Sequence, residues 1–203
     1  EHFFQRSIPD SETERILSQL RRETQNIVLI GMPGCGKSTV GAALAALTGR
    51  EAIDIDQRIE ARAGCSIPEI FAQGGEAAFR ALEQEETALA GACSGKILLT
   101  GGGVVTVEAN YASLHQNGRI YHLLRSLDTL ATDGRPLSQG ADLAAMWQRR
   151  APLYARFRDA EADNNGTAEE TAAAIWRDFC VHCGSERPES EHAGHPAAGD
   201  LRT

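Results

Sequence analysis

The chain has 203 residues, the length of one domain and enough to bury a hydrophobic core without disulfides or structural metals. Its net charge of -8 argues against a nucleic-acid partner, and no apolar run approaches the roughly 20 residues that a membrane-spanning helix needs. Five scattered cysteines, an odd number, indicate reduced thiols and hence a cytoplasmic protein.

Residues 1–25 precede the first predicted strand. The sequence predicts a helix over 11–22, because a capping box stands at its start and an apolar stripe runs through Ile16, Leu17 and Leu20. Two interpretations stay open at this point. The segment is the end of an upstream domain or a linker, or its helix packs on the outside of the domain that follows.

The stretch 31–38, GMPGCGKS, matches the phosphate-binding loop pattern GxxxxGKS at every fixed position. A buried-strand pattern precedes it at 26–30, and an amphipathic helical pattern follows it over 37–48. Such a loop directs backbone N–H groups and a helix N-terminus at a phosphate. In this pattern Lys37 reaches the β- and γ-phosphates of a nucleotide, and Ser38 ligates magnesium.

From residue 26 onward strand and helix patterns alternate, which predicts an α/β fold of three layers, α/β/α, around a parallel sheet of about five strands. The predicted strands lie at 26–30, 51–54, 96–100 and 119–124, with a weaker pattern at 159–163. The predicted helices lie at 37–48, 57–63, 67–72, 75–91, 107–116, 126–131, 141–157 and 167–180. We assign the domain to 26–180 and expect 181–203 to be a disordered tail, because its final part holds almost no large apolar residue.

Two carboxylates close the second strand pattern. Asp54 and Asp56 are two residues apart, so an extended chain turns both toward one face. The carboxyl ends of parallel strands form the edge at which open α/β sheets bind ligands. One acid could hold magnesium through water while the other accepts a proton from a substrate hydroxyl. The alternative is that Asp56 only caps the helix that follows.

The segment 71–80, FAQGGEAAFR, contains a glycine pair that opens a helix and soon presents Phe79 and Arg80. The Arg80 guanidinium either turns into the cleft to bind a carboxylate ligand or forms a surface ion pair with Glu76 or Glu83. Spacing alone favours the ion pair.

The third strand pattern runs straight into Gly101, Gly102 and Gly103. Three glycines after a buried strand let another molecule approach the backbone, whose N–H groups can bind an oxygen. No acidic residue stands here, so the protein ligands of magnesium are expected to be Ser38 and the earlier aspartates.

Two later segments carry arginines. Arg135 lies in the polar stretch 133–137, DGRPL, which suits either a mobile lid that closes over a transferring phosphate or an ordinary turn. Arg149 and Arg150 stand just before Pro152, which is expected to interrupt or kink its helix. This pair by itself does not indicate a function.

In their order and spacing over 26–180, these blocks resemble the shikimate kinase family: a phosphate loop, a DxD pair, FxxxGExxFR, GGG, a lid RPL and RxPLY. The resemblance implies a P-loop kinase fold and ATP-dependent phosphorylation of the 3-hydroxyl of shikimate, with magnesium as cofactor. It implies nucleotide binding by Gly34, Cys35, Gly36, Lys37, Ser38, Thr39 and the lid residue Arg135, and magnesium binding by Ser38 and Asp54. It also implies shikimate binding by Asp56, Arg80, Gly102, Gly103 and Arg150, and catalysis by Asp56, Lys37 and Arg135.

The chain departs from the family pattern at the adenine side and at the N-terminus. Many members carry basic residues shortly before the lid that pack on adenine, where this chain has Leu130, Ala131 and Thr132. Asn164 and Asn165 stand where the adenine side is expected. In some bacteria this kinase is fused to another enzyme of its pathway, so the resemblance implies a monomer or a domain tethered to a second one.

Two other functions stay open: a kinase for another small hydroxylated metabolite such as gluconate, and a nucleotide-binding module without catalysis. The pair Arg80 and Arg150 favours shikimate over gluconate, and a pure binder needs neither Asp56 nor Arg135. A zinc site is not expected from Cys180, Cys183, His192 and His195, because the histidines are spaced more closely than zinc fingers require.

Overall fold

The computed structural model of the chain describes residues 10–130 and 141–184. The predicted lid stretch 133–137 with Arg135 lies outside the described residues. So does most of the predicted tail, including His192 and His195.

Five parallel strands form one sheet in the order β2-β3-β1-β4-β5, which confirms the predicted α/β class and the parallel sheet. The strands are β1 Asn26–Ile30, β2 Ala52–Asp54, β3 Ile97–Leu99, β4 Gly118–Leu124 and β5 Ala160–Asp163. The helices are α1 Asp10–Thr24, α2 Lys37–Thr48, α3 Ile55–Ala63, α4 Ile67–Gly91, α5 Ala109–His115, α6 Ala141–Phe157 and α7 Ala168–His182. Short 3₁₀ turns lie at Val104–Thr106 and Leu127–Thr129.

The central strand β1 is buried along its whole length. It pairs with β3 and β4 in parallel register, with Ile27 opposite Ile97 on one side and Arg119 on the other. A parallel strand covered by helices on both faces is expected to be apolar throughout, and all of NIVLI except Asn26 meets that expectation. Helix α2 packs on α7, while α4 packs on α3 and α5.

Helix α1 is confirmed, but its apolar stripe has no cover within the described part of the chain. Ile16, Leu17 and Leu20 are each at least 38% exposed. The helix is held instead at its last turn, where the Thr24 carbonyl accepts hydrogen bonds from Gly95 N–H at 2.7 Å and from Asn117 Nδ2 at 3.0 Å. The helix is therefore joined to the domain through its carboxyl end and not through its stripe.

Some predicted helix boundaries are wrong. The helix predicted at 126–131 is a single 3₁₀ turn within the residues described up to 130, because Leu130 is extended and the Thr129 hydroxyl bonds the Ser126 carbonyl at 2.9 Å. Helix α7 continues past 180 to His182 because Phe179 and Cys183 are both buried. Helix α6, by contrast, has the predicted bounds 141–157, with Pro152 inside it.

The helices predicted at 67–72 and 75–91 join into α4 across a break at Gly75. Gly75 has φ 68° and ψ -172°, a backbone conformation that is essentially restricted to glycine. Phe79 and Glu83 are among the buried residues of α4 beyond the break. The glycine pair therefore marks the predicted junction correctly.

We expect Gly75→Ala to lower the free energy of unfolding by about 1–3 kcal/mol, because alanine is strained in this conformation. Urea unfolding followed by circular dichroism measures the change. Gln73→Ala, at an exposed position in the same turn, serves as the control and should change it little. Equal values for the two variants would contradict the assignment of strain to Gly75.

His122 of β4 is buried in an aromatic stack against Tyr154, at 4.7 Å between ring centroids, and Trp147, at 6.0 Å. Neither ring nitrogen has a hydrogen-bond partner among residues 10–130 and 141–184. Burial lowers the pKa of His122 to about 4, with Arg158 and Lys37 acting in the same direction. The imidazole is therefore neutral at pH 7.

Because the unfolded chain binds this proton more tightly than the folded protein does, acid favours unfolding as pH falls from about 6.5 toward 4. We expect His122→Phe to reduce the loss of unfolding free energy across this range. Urea unfolding at pH 6.5, 5 and 4 measures it. Trp147→Phe, which alters the same stack without a titrating group, should keep the wild-type pH dependence. An unchanged dependence in His122→Phe would contradict this account.

Candidate active site

The phosphate-loop sequence forms a tight turn between β1 and α2. Gly31, Gly34 and Gly36 have φ angles of 150°, 80° and 93°, which favour glycine. The side chain of Lys37 is buried along the loop, where its Nζ donates to the carbonyls of Gly31 at 2.9 Å and Met32 at 3.0 Å. The loop therefore has the shape that the motif predicts, with its lysine held against it.

Asn164 holds this loop in place through a hydrogen bond to the backbone of Cys35. The Cys35 side chain is buried, and its carbonyl accepts a hydrogen bond from Asn164 Nδ2 at 2.6 Å. Asn164 in turn accepts from the Thr171 hydroxyl at 3.0 Å. The Asn164 amide therefore supports the loop, and Asn165 is the one of the two asparagines that lines a cavity.

A cavity of about 400 Å³ lies in front of the loop. It is lined by the carboxyl ends of several strands and by the start of α2. Its walls include the predicted nucleotide, metal and substrate residues Gly34, Gly36, Lys37, Ser38, Thr39, Asp54, Asp56 and Gly102. The structure therefore gathers residues that are up to 68 positions apart in the sequence around one space.

Asp54, and not Asp56, caps helix α3. The Asp54 Oδ1 accepts hydrogen bonds from the N–H groups of Asp56 at 3.0 Å and Gln57 at 3.3 Å. The alternative in which Asp56 is the cap is wrong because α3 begins at Ile55, two residues earlier than predicted. Asp56 instead lies in the first turn of α3 and lines the cavity.

The glycine triplet leaves room for charged side chains from other segments. These side chains would clash with any larger residue at Gly101 or Gly103. A Cβ atom at Gly101 would lie 2.8 Å from Oδ1 of Asp56 and 3.0 Å from Oε1 of Glu83. A Cβ atom at Gly103 would overlap the Arg80 guanidinium. Gly101 and Gly103 are therefore needed for the close approach of these charged groups.

Arg80 forms ion pairs with both glutamates that the sequence offered as its partners. Its guanidinium pairs with Glu83 at 2.6 Å and Glu76 at 3.1 Å, and it lies over the Phe79 ring at 5.1 Å from the centroid. The same group packs against Gly103, next to the cavity. The ion pairs therefore hold the guanidinium at the glycine triplet.

Arg150 reaches the same triplet from α6. Its Nη1 donates to the Gly102 carbonyl at 3.2 Å, and the Tyr154 hydroxyl donates to the same oxygen at 2.5 Å. The two residues are one helical turn apart and share a face. Burial raises the pKa of Tyr154, so its hydroxyl keeps its proton and remains a donor. Arg80 and Arg150 thus approach Gly102 and Gly103 from two different helices.

Glu83 is the buried residue at the centre of this cluster, and sequence reasoning considered it only as a surface partner of Arg80. Its side chain is 0% exposed. Burial raises the pKa of Glu83, and the negative charge of Asp56 acts in the same direction. The positive charges of Arg80 and Arg150 oppose this rise. The spacing of Phe79, Glu83 and Ala90 on the apolar face of α4 is the signal that could have predicted its burial.

Arg125 was also missed by sequence reasoning. It follows β4 directly and lines the cavity in front of the phosphate loop. No motif marked it, because a single arginine after a strand has no characteristic neighbours.

A phosphate loop, two aspartates and two converging arginines at the carboxyl edge of a parallel α/β sheet define a P-loop nucleotide-binding protein with a site for a small anionic acceptor. That combination is typical of small-molecule kinases. The family model described as shikimate kinase matches residues 33–179. The chain belongs to the shikimate kinase family.

Individual relatives agree with this assignment. The chain is 38% identical to the shikimate kinase of Moorella thermoacetica over 162 residues, which cover 76% of this chain and 91% of that protein. It is 41% identical over 144 residues to the shikimate kinase of Synechococcus sp. (strain RCC307), covering 66% of this chain and 73% of that protein. The solved structure of shikimate kinase from Acinetobacter baumannii in complex with shikimate matches with a TM-score of 0.75 at 32% identity, covering 81% of this chain and 98% of that one.

We expect Asn164→Ala to destabilise the fold by about 1–3 kcal/mol, because the buried Cys35 carbonyl loses its hydrogen-bond donor. Thermal and urea unfolding measure the effect. Asn165→Ala is the matched control, since Asn165 is exposed and adjacent. If the two variants are equally stable, Asn164 does not support the loop as described.

Proposed function

We propose that the chain transfers the γ-phosphoryl group of ATP to the 3-hydroxyl of shikimate, giving shikimate 3-phosphate and ADP. The single observation that carries this proposal is the convergence of Asp56, Arg80 and Arg150 on the glycine triplet, beside the phosphate loop, in a chain of the shikimate kinase family.

The phosphate loop binds the nucleotide in this proposal. Backbone N–H groups of residues 34–39, including that of Cys35, surround the β-phosphate, and the N-terminus of α2 adds its partial positive charge. Lys37 leaves the loop carbonyls to contact the β- and γ-phosphates. By the family resemblance, Arg135 closes over the transferring group and neutralises the charge that develops on it.

The residues at the loop fit a magnesium ion. Mg²⁺ prefers oxygen ligands and retains waters and substrate phosphates, so one hydroxyl and one carboxylate from the protein are sufficient. Ser38 and Asp54 both line the cavity and would supply them. Among the described residues no group of three or more His, Cys, Asp or Glu side chains could hold a metal by itself. When bound, the ion would neutralise charge on the β- and γ-phosphates.

Shikimate is held by its carboxylate in this proposal. The guanidinium groups of Arg80 and Arg150 offer forked donors that match a carboxylate, and Gly102 and Gly103 contact the substrate through their backbone. This places the 3-hydroxyl toward Asp56, which binds it and accepts its proton as the oxygen attacks the γ-phosphorus. Positioning and charge neutralisation then suffice, with no covalent intermediate on the protein.

We further propose that the kinase domain spans 26–180 and that α1 is its link to another domain or an added helix of a monomer. The five cysteines are free, which supports a location in the cytoplasm.

In residues 10–130 and 141–184, no helix combines the length and the apolar character needed to cross a bilayer.

A coupled assay of ADP release with a panel of hydroxylated acids tests the function. We expect turnover with shikimate, little with gluconate, and a background rate only in Asp56→Asn. Turnover with gluconate and none with shikimate would overturn the choice of substrate. Binding of ATP without phosphorylation of any acid would support the module without catalysis.

We expect Arg80→Ala to raise KM for shikimate by about 10- to 100-fold while KM for ATP changes little, because the substrate carboxylate loses a charged hydrogen-bond partner. Steady-state kinetics with each substrate varied in turn separate the two constants. Arg149→Ala is the control, since Arg149 is exposed and adjacent to Arg150. A change confined to KM for ATP would remove Arg80 from the acceptor site.

A further inference from the structure

Arg125 stands at the carboxyl end of β4, the strand that pairs with β1 beside the phosphate loop. It contributes to the walls of two cavities. One is the cavity of about 400 Å³ in front of the loop, and the other, of about 320 Å³, is lined by Leu123, Leu127, Trp147 and Asn165 among others. The Arg125 side chain therefore lies between the cavity in front of the loop and the second cavity.

The guanidinium of Arg125 is close to the loop backbone. Its Nη1 would lie 3.6 Å from a Cβ atom built on Gly36. Gly36 is the N-cap of α2, at the end of the helix where unpaired N–H groups and the positive end of the helix dipole attract anions. The charge of Arg125 thus adds to an environment that is already suited to phosphate.

No acidic side chain in the described part of the chain forms an ion pair with Arg125. Its Nε is buried without a hydrogen-bond partner, considering residues 10–130 and 141–184. By contrast, Arg58, Arg80 and Arg119 each form an ion pair with a carboxylate. A buried N–H of a charged group is costly when it stays unpaired, so the arrangement points to a partner that arrives with a ligand.

We propose that Arg125 binds the polyphosphate chain of the nucleotide, as a second cation beside Lys37. This inference rests on the proposed function insofar as the ligand is a nucleotide. Lys37 is a point charge at the end of a flexible stem, whereas a guanidinium presents parallel donors that can hold two phosphate oxygens at once. Arg125 would therefore fix the orientation of the chain of phosphates as well as its charge.

Calorimetric titration of the whole chain with ADP and magnesium tests the proposal, because ADP binding requires no acceptor and does not depend on which acid is phosphorylated. We expect Arg125→Met to bind ADP at least about 10-fold more weakly, as expected for the loss of a charged hydrogen bond. Arg125→Lys should recover part of the affinity, since lysine also binds phosphate. KM for shikimate should stay within about twofold, because Arg125 does not contact the acceptor.

Arg177→Met is the control, since Arg177 is exposed on α7 and lines neither cavity, and it should bind ADP like the wild type. AMP, which lacks the β-phosphate, should lose less affinity than ADP in Arg125→Met. Wild-type ADP affinity in Arg125→Met would overturn the proposal. Equal losses for AMP and ADP, without recovery by lysine, would also overturn it and assign Arg125 to the nucleoside. If Arg125→Met does not fold, Arg125→Gln carries the same expectation.

Discussion

The parallel direction of all five strands is the constraint on which the site depends. Parallel strands end at one edge of a sheet, so the segments that follow them are brought together however far apart they are in the sequence. The phosphate loop follows β1, Asp54 closes β2, the glycine triplet follows β3, Arg125 follows β4 and Asn164 follows β5. Because β1 lies in the middle, the loop has neighbours on both sides.

The two halves of the site differ in how firmly they are held. Arg80 is fixed by the buried Glu83, by Glu76 and by the Phe79 ring, so the acceptor side already presents its guanidinium at the glycine triplet. A buried ion pair is a weak source of stability, but it restricts where the charge can lie. On the nucleotide side, Lys37 contacts its own loop and must change partners to reach a phosphate.

Local sequence patterns predicted most of the fold and many of the residues that line the cavity. These features could be predicted because each depends on residues that are neighbours in the sequence. The phosphate loop requires glycines at fixed positions, and each buried strand is an apolar run. Contacts between distant segments were not predicted: Asn164 bonds a carbonyl 129 positions away, and the buried Glu83 lies close to Gly101, which follows β3. The capping role of Asp54 was not predicted because it depends on the exact residue at which α3 begins.

The central claim is that the nucleotide-binding loop and a pair of arginines that bind a small acid face each other at this edge of the sheet. A crystal structure with magnesium, ADP and shikimate tests it most directly. We expect the shikimate carboxylate within hydrogen-bond distance of Arg80 and Arg150, with the 3-hydroxyl at Asp56 and directed toward the β-phosphate of ADP. Shikimate bound away from these residues, or with its carboxylate at the phosphate loop, would contradict the account.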